Sequence, residues 1–405
     1  MPVYRQWSVI LLSASLFITC ILMALHPLAS LQAGVRGLAI WWDVLFPSLF
    51  PFFVISELLL GFGIVHGIGT LLDPLMKPLF RVPGCGGFVA AISCASGYPI
   101  GAKLTAKLWQ QKLLTREEGE RLVAFTTSSD PIFLIGAVSV GFFHNPSIAV
   151  VIVLSHYLGA LLIGLLMRFH APHAPASSSP NGKGRAGWRE ALQAMHQARM
   201  EDGRPFGEML RDSVISSLKL IIVVGGLVVF FCVLLESLNH SGLMHWLYRC
   251  ADMVLTGVGM PTALGDAIVG GIFEVTLGAS SAGAASGVPL AYKAAAAVFV
   301  LSWGGLSVHA QITSILNDTN LRYPPFLLAR AVHSVISPVL LLLMWKPLMG
   351  NSDAAEVFYS LWPAPAQGGS ALIAYLPFLF ILVLSILFVL AMLARIFFKP
   401  IQRPE

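Results

Sequence analysis

Apolar runs long enough to cross a bilayer, which takes about 20 residues, recur along this chain at 7–25, 38–62, 148–167, 214–238, 326–344 and 372–398. Lipid offers a bare peptide group no partner, so chain at that depth must be helix or closed barrel. Continuous apolar runs of this length read as helices. Composition agrees: 56% of residues are hydrophobic, only 11% are charged and mean hydropathy is +0.78. Soluble domains carry about 25% charged residues. The run at 7–25 follows Arg5 and has only weak small-residue cleavage sites at 28–33, so it reads as a retained first helix and not as a removed signal peptide.

Several apolar stretches are interrupted instead of continuous. The clearest spans 86–107, GGFVAAISCASGYPIGAKLTAK. Its apolar arm at 88–92 is too short to span, and Ser93, Ser96, Gly97, Tyr98, Pro99 and Gly101 break it before Lys103. Such a stretch predicts a re-entrant hairpin, tolerated only where protein or a water-filled cavity covers it. Its Gly/Ser-rich tip would aim free N–H groups at an anion. The alternative is a helix-packing motif of small residues. Lys103 is either a counter-charge for a carboxylate or a side chain snorkelling to the interface.

A second stretch, 265–285, repeats the pattern: a short apolar arm, then Glu274, Thr276, Gly278, Ser280 and Ser281. Each hairpin precedes a span broken by polar residues. One break holds Ser128, Ser129 and Asp130 before Pro131; the other holds Ser302, Ser307, His309 and Gln311. Crossed broken helices offer free N–H and C=O groups to a polar ligand; the alternative is a pair of kinked packing defects. Glu274 is a candidate for a coupling cation or proton, or else a buried acid paired with a lysine. Glu57 precedes the first hairpin by nearly the same distance as Glu236 precedes the second, and each reads equally as a gating acid or a scaffold partner. Amphipathic segments at 66–83 and 240–258 suit an interface. Thr115 with Glu118 forms a capping box.

Alternating crossings from a cytoplasmic N-terminus leave only Arg36, Arg249 and Lys346 outside. Lys103, Lys219 and Lys293 lie in or at the edge of the membrane, and every other Lys and Arg falls inside. This bias places both termini and the 170–212 segment in the cytoplasm. The two hairpins then enter from opposite faces. The expected fold is an all-α polytopic membrane protein with about eight transmembrane helices plus two re-entrant hairpins in an inverted repeat, the arrangement that marks a midplane transport site. The divisions are an N-terminal helix at 1–37, a first repeat at 38–169, a linker at 170–212, a second repeat at 213–349, and a C-terminal loop and helix at 350–405.

Other classes find little support. The net charge of +5 is a topology signal, and no basic groove with interleaved aromatics points to nucleic acid. The five cysteines form no CxxC pair, and no metal or cofactor is expected. GYPIGAK lacks Walker spacing, and there is no HExxH or Gly-x-Ser-x-Gly, so the chain does not read as an enzyme.

The segments LFPSLFPFFVISELLLGFG (45–63), DPLMKPLFRVPGCGGF (73–88), SGYPIGAKLTAKL (96–108), KLLTREEGERLVAFT (112–126), DPIFLIGAVSVGFF (130–143) and SLKLIIVVGGLVVFF (217–231) carry a resemblance that covers most of 40–345. They resemble a family of sporulation integral membrane proteins in the nucleoside-recognition (Gate) superfamily. The resemblance implies an endospore-forming bacterium and a place in the outer forespore membrane. It also implies a link to moving dipicolinic acid, a small anionic substrate, with a coupling ion or proton as a further partner. Gate-domain relatives include nucleoside carriers whose paired hairpins and unwound helices build the substrate site. Asp130 departs from the neutral Asn/Thr/Ser-rich break the family leads one to expect. A nucleoside-like solute is the alternative cargo, and a non-transporting scaffold acting through 170–212 is the alternative class.

Overall fold

A computed structural model describes residues 3–174, 177, 187–242 and 244–349, and these are all helix or loop. The expected C-terminal span at 372–398 lies outside the described residues. Among those described, five helices are long and apolar enough to cross a membrane, or six if one pair bent by 107° is a single span. About eight spans are expected, one of them outside the described residues and two of them broken by polar residues. The expected span at 122–142 is two short helices, because four residues, 127–130, leave helical geometry ahead of Pro131.

Helix α1 (Val3–Leu25) leads into α2 (Pro27–Gly61), which starts well before the expected 38. Helix α3 (Ile64–Phe80) bends into the first hairpin, α4 (Cys85–Ser96) and α5 (Ile100–Gln110). The first broken helix is α6 (Arg116–Thr126) with α7 (Phe133–Phe142), followed by α8 (Ala149–Met167) and α9 (Trp188–Asp202). Helix α10 (Phe206–His240) and the short α11 (Met244–Gly257) precede the second hairpin, α12 (Gly265–Phe273) and α13 (Val275–Ala284). The second broken helix is α14 (Leu290–Trp303) with α15 (Gly305–Asn317), and α16 (Tyr323–Met349) closes the described fold.

Two 35-residue helices, α2 and α10, run antiparallel against each other. Arg36 meets Glu236 at 2.5 Å at one end, and Glu57 lies 3.4 Å from Ser216 toward the other. Between them Trp41 donates to the Ile221 carbonyl at 2.8 Å, above Gly225. A Cβ on Gly37 would come within 2.9 Å of the Val229 Cα, so small residues set this close approach. At about 1.5 Å per residue such helices exceed the ~30 Å hydrocarbon thickness, so their ends stand in the interface. There the Arg36–Glu236 pair is half-exposed and contributes little.

Each hairpin turns where the sequence lacks a helix former. The first turns at Gly97 (φ 67°), Tyr98 and Pro99. The second turns at Glu274, whose backbone is extended (φ −146°, ψ 128°), and its arms touch through Gly271 and Gly278. The second broken helix pivots at Gly304 (φ 90°) and Gly305 (φ 70°), two left-handed residues in succession, which only glycine adopts freely. A run of buried alanines, Ala294 to Ala297, lets α14 pack closely against α12, α13, α8 and α16.

The 170–212 segment is more than a tether. Helix α9 lies on α3, with Ala191 buried and the Ala191 and Met195 carbonyls close over Gly67 and Gly63. Helix α6 starts with the expected Thr115–Glu118 capping box. Glu120, on the same turn, is buried; its carboxylate accepts from Arg322 Nε at 2.8 Å and Nη2 at 2.9 Å, from the Arg322 backbone N–H at 3.0 Å, and lies 2.7 Å from His170 Nε2. Arg121 beside it donates to the His170, Ala171 and Arg81 carbonyls. Chain far apart in sequence is thus clamped onto the outer end of the first broken helix.

Burial opposes ionisation of Glu120, but the hydrogen bonds from Arg322 and His170 outweigh it and hold the carboxyl below the usual range. A carboxyl depressed on folding stabilises the fold above its unfolded value and loses that contribution as pH falls through its folded value. Glu120→Gln should therefore melt lower than wild type at neutral pH, by the equivalent of about 1.5–3 kcal/mol. The gap should begin to close only as pH falls below about 4. A pH-independent gap between the melting curves would remove the carboxylate from the account.

Candidate solute site between the hairpins

All four interruptions meet at one cavity of about 90 Å³. The first hairpin tip contributes Ser96, Tyr98 and Pro99, and the first break contributes Ser129 and Asp130. The second tip contributes Glu274, Val275 and Thr276, and α15 contributes Ser307, Val308 and Gln311. An apolar wall comes from α2 (Leu49, Phe53) and α10 (Leu220, Val223, Val224, Leu227), with Phe133 of α7. Each tip abuts the break that follows it. Gly97 lies on Asp130, and Gly305 lies on the Phe273 carbonyl and Glu274 Cα, at 3.0 and 3.1 Å from where a Cβ would stand.

Two of the helix starts at this cavity carry side-chain caps, whereas the start of α5 at the first hairpin tip carries none. Asp130 Oδ1 accepts from the Phe133 N–H at 2.8 Å and caps the second half of the broken helix. Glu274 Oε2 accepts from the Leu277 N–H at 3.0 Å, and Oε1 from the Thr276 hydroxyl at 3.2 Å. A carboxylate is well placed at a helix N-terminus. The cavity therefore presents two acidic side chains, hydroxyls and one amide.

The proposed site residues separate into those lining this cavity and those outside the lining. Ser96, Tyr98, Ser129, Asp130, Glu274, Thr276, Ser307 and Gln311 line it. Ser93 donates to the Val89 carbonyl at 2.7 Å inside the hairpin, and Gly101 packs on Ser93 and Thr126. Gly97 serves the turn, and Ser128 is buried beside the lining residues. Ser302 lies 3.1 Å from His156 Nδ1. His309 bridges the Tyr323 hydroxyl at 2.8 Å and the Trp303 carbonyl at 3.1 Å. Ser280 and Ser281 are half-buried farther along α13. Lys103 is exposed on α5, away from the cavity lining.

Sequence reasoning passed over three features. Tyr157 of α8 donates to the Ser129 carbonyl at 2.8 Å, beside the 2.9 Å contact between Tyr98 and Ser129 hydroxyls. The apolar wall carries no polar mark in the sequence. Arg330, assigned by the charge count to the inner loops, is buried in α16. Its signal was available, since a cation within an apolar helix is a functional candidate by default.

Fold and cavity together define a polytopic α-helical membrane protein in which paired hairpins and broken helices enclose a small polar chamber. The Gate family, described as nucleoside recognition, matches residues 43–161, from α2 into α8. The chain is 40% identical to the sporulation integral membrane protein YlbJ of Bacillus subtilis (strain 168), over 93% of this chain and 96% of that one. It is 25% identical to an uncharacterized protein of Alkalihalophilus pseudofirmus over 42% of this chain and 36% of that protein. No solved structure matches it. The chain thus belongs to the YlbJ family of sporulation integral membrane proteins.

Asp130 gives a direct check on the capping geometry. Asp130→Ala should lower stability by about 0.5–2 kcal/mol, whereas Asp130→Asn, which can still cap, should lose much less. Thermal unfolding in detergent measures both; equal losses would mean that charge, and not the cap, holds the break.

Proposed function

We propose that this protein is a membrane carrier for a small anionic solute, with dipicolinic acid the leading candidate, working by alternating access around its paired hairpins. The observation that carries this reading is the convergence of four interruptions, two from each half, on one small cavity that holds their polar side chains against an apolar wall. Backbone that leaves helical geometry at membrane depth is the usual material of a transport site. The antiparallel α2–α10 pair and the similar contact of each tip with its following break support an inverted repeat. The charge bias supports cytoplasmic termini. The sporulation link of the YlbJ relative and the family resemblance favour the outer forespore membrane and dipicolinate.

The cavity holds about three waters at ~30 Å³ each, well below the ~300 Å³ of an ordinary ligand site. The chamber as it stands is too small for a two-carboxylate ring, so the tips must part from the apolar α2–α10 wall to admit one. Asp130 and Glu274 would repel such an anion, so a cation or proton held beside them would travel with it. A nucleoside-like solute is a second reading, favoured by the nucleoside-recognition family match and by the acceptor-rich lining.

Purified protein in liposomes should accumulate labelled dipicolinate without ATP, and an imposed ion or pH gradient should change the rate. Uptake of nucleosides with none of dipicolinate would select the second reading. Folded protein that moves neither would count against a carrier and for a scaffold.

A further inference from the structure

Arg330 lies about two turns inside the long apolar helix α16 and is 2% exposed. Its Nη1 donates to the Thr127 carbonyl at 2.6 Å and its Nη2 to the Ala124 carbonyl at 2.5 Å. Those carbonyls end α6, where the helix dipole supplies about half a negative charge. Among the described residues no carboxylate pairs with the guanidinium, so part of a buried unit charge is left without a counter-charge. Its Nε–H is buried without a partner, and so are the Thr127 hydroxyl, His156 Nε2 and His333 Nδ1. These atoms occupy one seam: the two imidazoles stand 4.9 Å apart, and His333 Nε2 donates to the His156 carbonyl at 2.9 Å. The His333 ring is thereby set with its other nitrogen open.

This seam adjoins the solute cavity. The guanidinium lies over the Phe326 ring, 5.8 Å from its centre, and Tyr98 packs with Phe326 in the same apolar cluster. Tyr98 lines the cavity and is tied to Ser129, two residues beyond Thr127. A capping role accounts for the two Nη contacts. It does not account for a buried Nε–H and a buried Thr127 hydroxyl that both lack partners. A carboxylate supplies both acceptor oxygens and charge, and charge-assisted pairing with Arg is the strong form of such contacts. Neutral ligands supply acceptors alone.

We propose that Arg330 is the residue that selects for anionic solutes, its Nε–H and the Thr127 hydroxyl forming a carboxylate subsite behind Tyr98 that opens when the first hairpin tip moves off Ser129. The assignment rests on the carrier reading above. It gives the positive charge to Arg330 and not to the exposed Lys103.

The test is dipicolinate uptake by the full-length protein in liposomes, with picolinate and neutral pyridine-2,6-dicarboxamide as competitors. Wild type should rank dianion over monoanion over neutral competitor. Arg330→Gln keeps an amide donor for the helix-end carbonyls but removes the charge. It should raise KM for dipicolinate about tenfold or more, about 1.4 kcal/mol per decade, and flatten the ranking, and Arg330→Lys should restore part of it. Thr127→Val deletes only a hydroxyl that is unpartnered in this structure, so it should fold normally and still raise KM severalfold. Wild-type KM and ranking in folded Arg330→Gln, or wild-type KM in Thr127→Val, would overturn the subsite while leaving the carrier reading intact. Failure of wild type itself to take up any carboxylate would overturn the carrier reading and this assignment with it.

Discussion

Every backbone N–H and C=O that leaves a helix at membrane depth must find a partner within the protein, and the rest of this structure depends on that requirement. Four stretches of chain leave helical geometry, and none could face lipid. They are gathered in one place and enclosed by long helices. Asp130 and Glu274 satisfy helix starts, and Arg330 satisfies a helix end. Tyr157 takes the carbonyl of Ser129 within the break. A polar chamber follows almost of necessity from pooling so many polar groups inside an apolar wall.

The wall itself depends on small residues. Gly37 and Gly225 let α2 and α10 approach closely along their length, and the alanine run of α14 does the same in the second half. In lipid no hydrophobic force draws helices together, so close packing of this kind supplies the association. Outside the apolar region, the Glu120 cluster fastens the start of the broken helix to the 318–322 loop and to the beginning of the linker.

Much of this was legible in the sequence wherever a residue type cannot serve the bland alternative. Gly97-Tyr98-Pro99 cannot continue a helix, nor can the polar run before Pro131, and both turned where expected. What remained hidden depends on direction and partnership. Lys103 and Arg330 both sit at the margin of apolar chain, and only packing reveals that one faces outward and the other inward. Sequence spacing could not show that the free N–H groups at the helix starts would be taken by Asp130 and Glu274, because a cap is a matter of three-dimensional approach. The docking of α9 on α3 was equally invisible, since a polar helix after a Pro/Ser-rich stretch reads as linker.

The two breaks are not mechanically alike. The first is braced by its own acidic cap, Asp130, and by a tyrosine of α8 and a guanidinium of α16. The second turns on a glycine pair, Gly304-Gly305, and His309 reaches back across it to the Trp303 carbonyl at 3.1 Å. One has its carbonyls held by side chains of other helices, the other by a side chain of its own second half. Loosening the first break would disturb α8 and α16, whereas loosening the second needs the His309 imidazole to turn away from Trp303.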